Sequence, residues 1–260
     1  MRGRVLVVAG SDSGAGAGIQ ADIKTVMALG GYATTAITAL TAQNTLGVHG
    51  VHQVPPAFVV QQMRVVLDDI GADAVKTGML GDAALIAAVA EVLRGVEVPI
   101  VIDPVMVAKG GARLLDPAAI DALRALLPLA AIITPNVPEA EELTGLTITD
   151  EASALRAIPA LLALGPAVVL LKGGHLPGAV VQDWIGTADG VQRLDWPRID
   201  TRHTHGTGCT TASAVATGLA QGMAVSDAVR RARAYVQAAI KAAPGLGLGH
   251  GPLGHDVQMR

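Results

Sequence analysis

Short apolar runs alternate with amphipathic stretches through the first two-thirds of the chain. Residues 4–9, 32–41, 72–76, 99–102, 131–134 and 166–171 are rich in Val, Ile, Leu and Ala over strand-length spans. Bounded by Gly, Pro and polar clusters, such runs predict β-strands. Between them, residues 19–29, 58–69, 82–94, 116–127 and 151–164 place apolar side chains at helical spacing. Another short strand is expected near 51–54, ahead of the Pro55-Pro56 break, and Asp116-Pro117 offers a cap and a first-turn proline. Uniformly apolar strands separated by helices predict a parallel sheet covered on both faces.

The pattern changes after residue 180, where two short strands flank Ala188-Asp189-Gly190, a hairpin signal. The sheet is therefore expected to end in antiparallel strands. A small-residue helix over 212–220 and an amphipathic one over 226–242 follow, the second with Val225, Val229, Ala232, Val236 and Ala239 on one face. The tail 245–254 is glycine-rich and is read either as part of a nucleotide pocket or as a loose end. With no repeat and no linker, residues 1–260 are read as one α/β domain.

Composition narrows the function. A net charge of −3 leaves no basic surface for nucleic acid, and Tyr32, Phe58, Trp184, Trp196 and Tyr235 are too scattered to make a base-stacking platform. Although 51% of residues are hydrophobic, the apolar runs are far shorter than a membrane-spanning helix. The first residues enter a strand without the apolar stretch of a signal peptide, which predicts a cytoplasmic protein with no membrane partner. One cysteine excludes an internal disulfide.

Candidate chemistry sits at the ends of the predicted strands, where open α/β sheets collect ligands. The first strand runs into Gly10-Ser11-Asp12-Ser13-Gly14-Ala15-Gly16-Ala17-Gly18, which lacks the spacing of a dinucleotide loop; no phosphate-loop motif occurs anywhere. Gln43 could read a heterocycle edge or stand solvated in a loop. Met79 could be core or the wall of a flat-ring pocket. Asp103 could organise a metal or phosphate site. Asn136 and Glu139 are hard oxygen groups close enough to share a hydrated Mg²⁺. Lys172, followed by Gly173-Gly174, could reach a phosphate or be merely solvated. The polar loop His203-Thr204-His205-Gly206-Thr207-Gly208-Cys209 opens the small-residue helix, so its N–H groups could hold an anion and the helix field would lower the Cys209 pKa. The competing reading is a capped core helix with an inert thiol. His203 and His205 lack a third ligand at zinc spacing.

Taken together, Gly10-Ser11-Asp12-Ser13, Gly18-Ile19-Gln20-Ala21-Asp22, Thr41-Ala42-Gln43-Asn44, Lys76-Thr77-Gly78-Met79, Asp103-Pro104-Val105-Met106, Thr134-Pro135-Asn136, Lys172-Gly173-Gly174-His175 and His205-Gly206-Thr207-Gly208-Cys209 resemble the bacterial hydroxymethylpyrimidine/phosphomethylpyrimidine kinases of thiamine synthesis, members of the ribokinase-like superfamily. The resemblance implies a three-layer α/β/α sandwich, mostly parallel with antiparallel strands at one edge, and a homodimer. It implies transfer of the ATP γ-phosphoryl group to a pyrimidine hydroxymethyl and then to the monophosphate, with pyridoxal or pyridoxine kinase as the alternative activity. By the same resemblance, Gln43 contacts the pyrimidine while Gly10, Asp22, Met79, Val105 and Val107 shape its pocket. Cys209 stands where many relatives carry an aspartate base, and Gly206, Thr207, Gly208 and Cys209 form an anion hole. Lys172, Asp103, Asn136 and Glu139 handle ATP phosphates, with Asp103 and Glu139 toward Mg²⁺ through water. Ser13-Gly14-Ala15-Gly16 departs from the Ser/Gly-rich loop expected there.

Overall fold

The computed structural model describes residues 3–107 and 111–257. Its centre is a nine-stranded sheet. In chain order the elements are β1 (Arg4–Asp12), α1 (Gly18–Ala28), β2 (Tyr32–Asn44), β3 (Gly47–Gln53), α2 (Pro56–Asp69), β4 (Ala74–Thr77), α3 (Ala83–Leu93), β5 (Ile100–Ile102), α4 (Ile120–Leu126), β6 (Ile132–Ile133), α5 (Val137–Thr144), α6 (Glu151–Leu162), β7 (Val169–Lys172), β8 (Val180–Thr187), β9 (Gly190–Pro197), α7 (Thr207–Ala220) and α8 (Val225–Lys241). Short 3-10 turns flank α4, at Pro117–Ala119 and Leu127–Leu129.

The sheet order is β3-β2-β1-β4-β5-β6-β7-β8-β9, parallel from β2 through β7. The β8–β9 hairpin supplies the expected antiparallel edge. A second antiparallel strand, β3, closes the opposite edge by folding back on β2. The expected strand near 51–54 is the end of this element. Its mixed Gly/His/Gln composition hides a strand that is mostly solvent-exposed.

Period-two alternation sorts the strand residues into two cores. From β1, Leu6 and Val8 join α2, α3, α4, α5 and α6 on one face. Val5, Val7 and Ala9 face the other way, onto α1, α7 and α8. Helix α7 is buried along nearly its whole length, which explains its run of Ala, Ser, Thr and Gly. Among the described residues, no helix is long and apolar enough to cross a membrane.

One charged group crosses the second core. Lys76 on β4 is fully buried and donates to both Asp22 oxygens on α1 at 2.9 Å, while the Ser213 hydroxyl on α7 donates to Asp22 Oδ1 at 2.7 Å. Burial opposes the charge on Lys76, but the Asp22 carboxylate outweighs it and raises the lysine pKa above its ordinary value. This pair pins α1 and α7 to the centre of the sheet.

Removing one partner strands the other charge in the core. Lys76→Met is expected to cost about 3–5 kcal/mol in urea denaturation, whereas Lys76→Met combined with Asp22→Asn should cost less than the single change. Equal stability of Lys76→Met and the parent chain would refute the pairing.

Candidate active site

A cavity of about 620 Å³ opens at the carboxyl ends of the parallel strands. Gly10, Gln43, Met79, Asp103, Val105, Val107, Asn136, Glu139, Lys172 and the Gly206–Cys209 segment all line it, so the topology gathers residues that are scattered in sequence. Asp22 does not line it. The expected pocket role is corrected: its carboxylate lies under the cavity floor, fully buried and committed to Lys76 and Ser213.

One wall is apolar. Gly10 packs so closely on Met79 that a Cβ at position 10 would sit 2.6 Å from the Met79 Cε. The missing side chain lets the thioether lie flat against β1. Met79 is 7% exposed, Val105 is half-buried and Val107 is exposed, so the wall grades from core to mouth.

The polar wall is stitched from loops distant in sequence. Asp12, at the end of β1, accepts backbone N–H groups from Gly14 at 2.8 Å, Gly16 at 3.1 Å and Ala17 at 2.8 Å. His205 Nε2 lies 2.8 Å from Asp12 Oδ2. Burial would raise the Asp12 pKa, but His205 and the Ala17 and Gly14 amides outweigh it and hold the carboxyl below the ordinary range. Ser13 Oγ donates to the Gln43 carbonyl and accepts from the Gln43 N–H, both at 2.8 Å, tying this loop to the end of β2. Gln43 is therefore a half-buried, anchored residue rather than a solvated one. Within the loop Ala15 has φ 58, a left-handed conformation that a side chain disfavours. It stands where the resemblance expects a Ser/Gly-rich stretch.

The anion loop meets the glycine loop directly. Gly206 caps α7 with φ +86, and a Cβ there would run into the Gly16 carbonyl oxygen. The first intrahelical bond of this helix runs from Thr210 N–H to the Gly206 carbonyl at 2.9 Å. The N–H groups of Gly208 and Cys209 therefore precede the hydrogen-bond ladder, at the positive end of the helix dipole.

Across the cavity, Lys172 Nζ donates to Asp103 Oδ1 at 3.1 Å, and Thr134 Oγ1 donates to the same oxygen at 2.8 Å. A Cβ on Gly208 would stand 3.4 Å from Lys172 Nζ and 3.6 Å from Asp103 Oδ2, so the ion pair abuts the anion loop. Lys172 is 12% exposed in its side chain, which removes the solvated-lysine reading. Burial opposes its charge, yet Asp103 and Glu139 raise its pKa. Asn136 and Glu139 form a reciprocal cap at the start of α5: Glu139 N–H donates to Asn136 Oδ1 at 3.0 Å, and Asn136 N–H donates to Glu139 Oε2 at 2.8 Å. Burial pushes the Glu139 carboxyl up to about 7, against the pull of Lys172.

A second cavity, of about 410 Å³, shares a wall with the first through Asn136, Lys172, His175, Thr204, Thr207 and Gly208. Asp183 on β8 braces its far side, accepting the Gly173 N–H at 3.0 Å and pairing with Arg233 on α8 at 2.5 Å. Asp12, His205, Thr204, Asp183 and Arg233 were not legible as site residues, because their partners come from remote segments. Only the position of His205 inside the glycine-bearing loop could have flagged it.

Cys209 lies at the junction, half-buried. Its pKa is pushed up to about 11: burial dominates, Lys76 opposes, and Asp22 and Asp103 add to the rise. The expected lowering is corrected: burial first, and then the Asp22 and Asp103 carboxylates, raise the thiol pKa against the opposing Lys76 charge and Gly18 N–H. Among the described residues, no group of three or more His, Cys, Asp or Glu is placed to hold a metal ion. Asp103 Oδ2 and Glu139 Oε1 are the oxygens left after the contacts above, a pair that suits Mg²⁺ completed by water and phosphate.

The phosphomethylpyrimidine kinase family model matches residues 12–254. A hydroxymethylpyrimidine/phosphomethylpyrimidine kinase of Streptomyces coelicolor is 52% identical over 96% of this chain and 93% of its own. A bifunctional thiamine biosynthesis protein of Geobacter sulfurreducens is 54% identical over 98% of this chain, which spans 52% of that longer protein. Among solved structures, a Bacillus subtilis pyridoxal kinase in complex with ADP superposes with TM-score 0.91 at 37% identity, covering 98% of both chains. A Clostridium difficile phosphomethylpyrimidine kinase superposes with TM-score 0.80 at 40% identity, covering 90% of this chain and 97% of its own.

With a single cysteine in the chain, alkylation reads Cys209 alone. Its iodoacetamide rate is expected to be slow at pH 7 and still rising at pH 10, whereas in urea it should follow an ordinary thiol of pKa about 8.5. A plateau near neutrality in the folded protein would overturn the raised pKa. With the motifs gathered in one cavity and the family model spanning nearly the whole chain, the protein belongs to the phosphomethylpyrimidine kinase family.

Proposed function

We propose that the chain transfers the γ-phosphoryl group of ATP to the hydroxymethyl oxygen of 4-amino-5-hydroxymethyl-2-methylpyrimidine, and then a second phosphoryl group onto the monophosphate. The observation that carries this reading is the shared wall between the two cavities, where the N-terminus of α7 meets the Lys172–Asp103 pair. In this reading the pyrimidine occupies the larger cavity, between Met79, Val105 and Gln43, and the nucleotide lies in the smaller one. The relatives named as pyrimidine kinases and the ADP-bound neighbour support a pyrimidine and a nucleotide as the two reactants.

The chemistry then follows from charge placement. Phosphoryl transfer proceeds through a loose transition state with charge spread over the equatorial oxygens, so fixed donors and cations supply most of the catalysis. The N–H groups of Gly208 and Cys209 and the Lys172 ammonium supply that positive field. Mg²⁺, held through water by Asp103 and Glu139, would neutralise phosphate charge when bound. Cys209 stands as the group that takes the hydroxyl proton. Only the thiolate can accept that proton, so the thiol must first release its own to water; burial, which pushes its pKa up to about 11, keeps the thiolate scarce near neutrality. A cytoplasmic homodimer belongs to the same reading, and Leu40, Leu46, Val51 and Phe58 around the β3 edge expose apolar surface consistent with it.

A second reading, pyridoxal kinase, is favoured by one observation: the backbone superposes on that Bacillus enzyme with TM-score 0.91. The identities to pyrimidine kinases favour the first.

Incubation with Mg-ATP and the pyrimidine alcohol is expected to yield mono- and diphosphate by mass spectrometry, with a kcat/KM above that for pyridoxal. No phosphorylated pyrimidine would sink the proposal, and a ratio favouring pyridoxal would install the alternative. Cys209→Ala should lower kcat about 10²-fold with little change in KM, the range of a lost general base. Unchanged kcat would show that positioning and electrostatics act without the thiol. Gln43→Ala should instead raise the pyrimidine KM about tenfold, the effect of a buried amide contact.

A further inference from the structure

Gln43 anchors its backbone on Ser13, and its carboxamide sits between Thr41, whose hydroxyl can donate or accept, and His205, whose Nε2 is set by Asp12. On one side Thr41 Oγ1 lies 2.9 Å from the Ser11 carbonyl and 3.2 Å from Gln43 Oε1. A hydroxyl has one hydrogen and can also accept, so Thr41 can donate to Ser11 or to Gln43 Oε1, or accept an amide N–H, and fixes no polarity by itself. On the other side His205 Nε2 lies 2.8 Å from Asp12 Oδ2 and 3.3 Å from Gln43 Nε2. The carboxylate can only accept, so His205 Nε2 carries a hydrogen and cannot accept from an amide. That N–H against N–H mismatch is removed when the carboxamide turns over: Gln43 Oε1 then shares the Nε2–H that Asp12 holds, and Gln43 Nε2 donates to Thr41 Oγ1.

We propose that Asp12 and His205 are positioning residues that fix the polarity of Gln43, and so decide which heterocycle edge the cavity reads. Asp12 is itself immobilised by three backbone N–H groups, so its remaining acceptor capacity orients His205. With Gln43 held this way, one N–H and one oxygen lone pair remain for the ligand, in a set order along the cavity wall. That donor–acceptor pair complements an amidine edge, an exocyclic amino group beside a ring nitrogen, as in a 4-aminopyrimidine. Pyridoxal presents a phenolic oxygen and no such edge. The ligand assignment rests on the function proposed above; the tautomer and the polarity do not.

The direct measurement uses the unmodified chain: ¹⁵N NMR of the His205 imidazole, assigned by loss of the signal in His205→Gln. A protonated Nε2 is expected, and an unprotonated Nε2 would overturn the proposal even if every variant unfolded. Next, His205→Phe removes the ring N–H while keeping the ring. Calorimetric Kd for the pyrimidine alcohol alone should weaken about tenfold, the consequence of one lost and one mismatched hydrogen bond. Pyridoxal binding should change less than twofold, and His205→Gln, which keeps an N–H donor, should recover part of the loss. In a Gln43→Ala background His205→Phe should weaken pyrimidine binding no further. Equal losses for both ligands, or full additivity with Gln43→Ala, would reduce His205 to a structural residue and overturn the proposal. A parent chain that binds no pyrimidine would defeat the function above, while the NMR result would still judge the Asp12–His205–Gln43 relay.

Discussion

The contact that the site depends on is the one between the glycine loop after β1 and the anion loop before α7. Asp12 and His205 are 193 residues apart in sequence, yet their 2.8 Å hydrogen bond joins the two loops. The Gly206 backbone packs on the Gly16 carbonyl so tightly that no side chain fits between them. A helix N-terminus can hold an anion only if its open N–H groups face a cavity rather than solvent. Docking one loop against the other creates that condition. It also places the end of β2, tied to Ser13, beside the N-terminus of α7 on one cavity wall.

Beneath this contact the structure tolerates charge only where it is paired. Lys76–Asp22 and Lys172–Asp103 lie near each other under Cys209 and Gly208, and Asp183–Arg233 closes the neighbouring cavity. The first pair has no open face and belongs to the scaffold. The second lines the cavity and abuts the loop, where its lysine meets the space in which the proposed function puts phosphate. Burial at this junction raises the thiol pKa, with Asp22 and Asp103 adding to the rise and Lys76 opposing it. A cysteine at this junction holds its proton in the resting state, although the start of a helix by itself favours the thiolate.

Much of the fold was legible in the sequence because the hydrophobic pattern reports local geometry. The strands 4–9 and 166–171, the capped helix over 82–94 and the hairpin around Ala188-Asp189 all appear close to the expected positions. The helix start expected at Asp116-Pro117 is a 3-10 turn, and the strand expected near 51–54 begins earlier, at Gly47, because its exposed Gly/His/Gln sequence lacks a strong period. Asp22 shows the limit more sharply. Its motif placed it with the pocket residues, but whether a carboxylate on α1 faces a cavity or a lysine depends on what β4 carries beneath it.

The sequence by itself determined the alternation of strands and helices, the glycine-bearing loops at strand ends and the family to which those motifs belong, since each is written in spacing and residue type. Only the tertiary structure decided which polar groups oppose one another. It buried Asp22 with Lys76, bound Asp12 to His205, and set the thiol of Cys209 among carboxylates that raise its pKa. Hydrogen bonds and charge interactions act over a few ångströms through a low-dielectric interior. Their partners are therefore set by packing between remote segments, which no local pattern encodes.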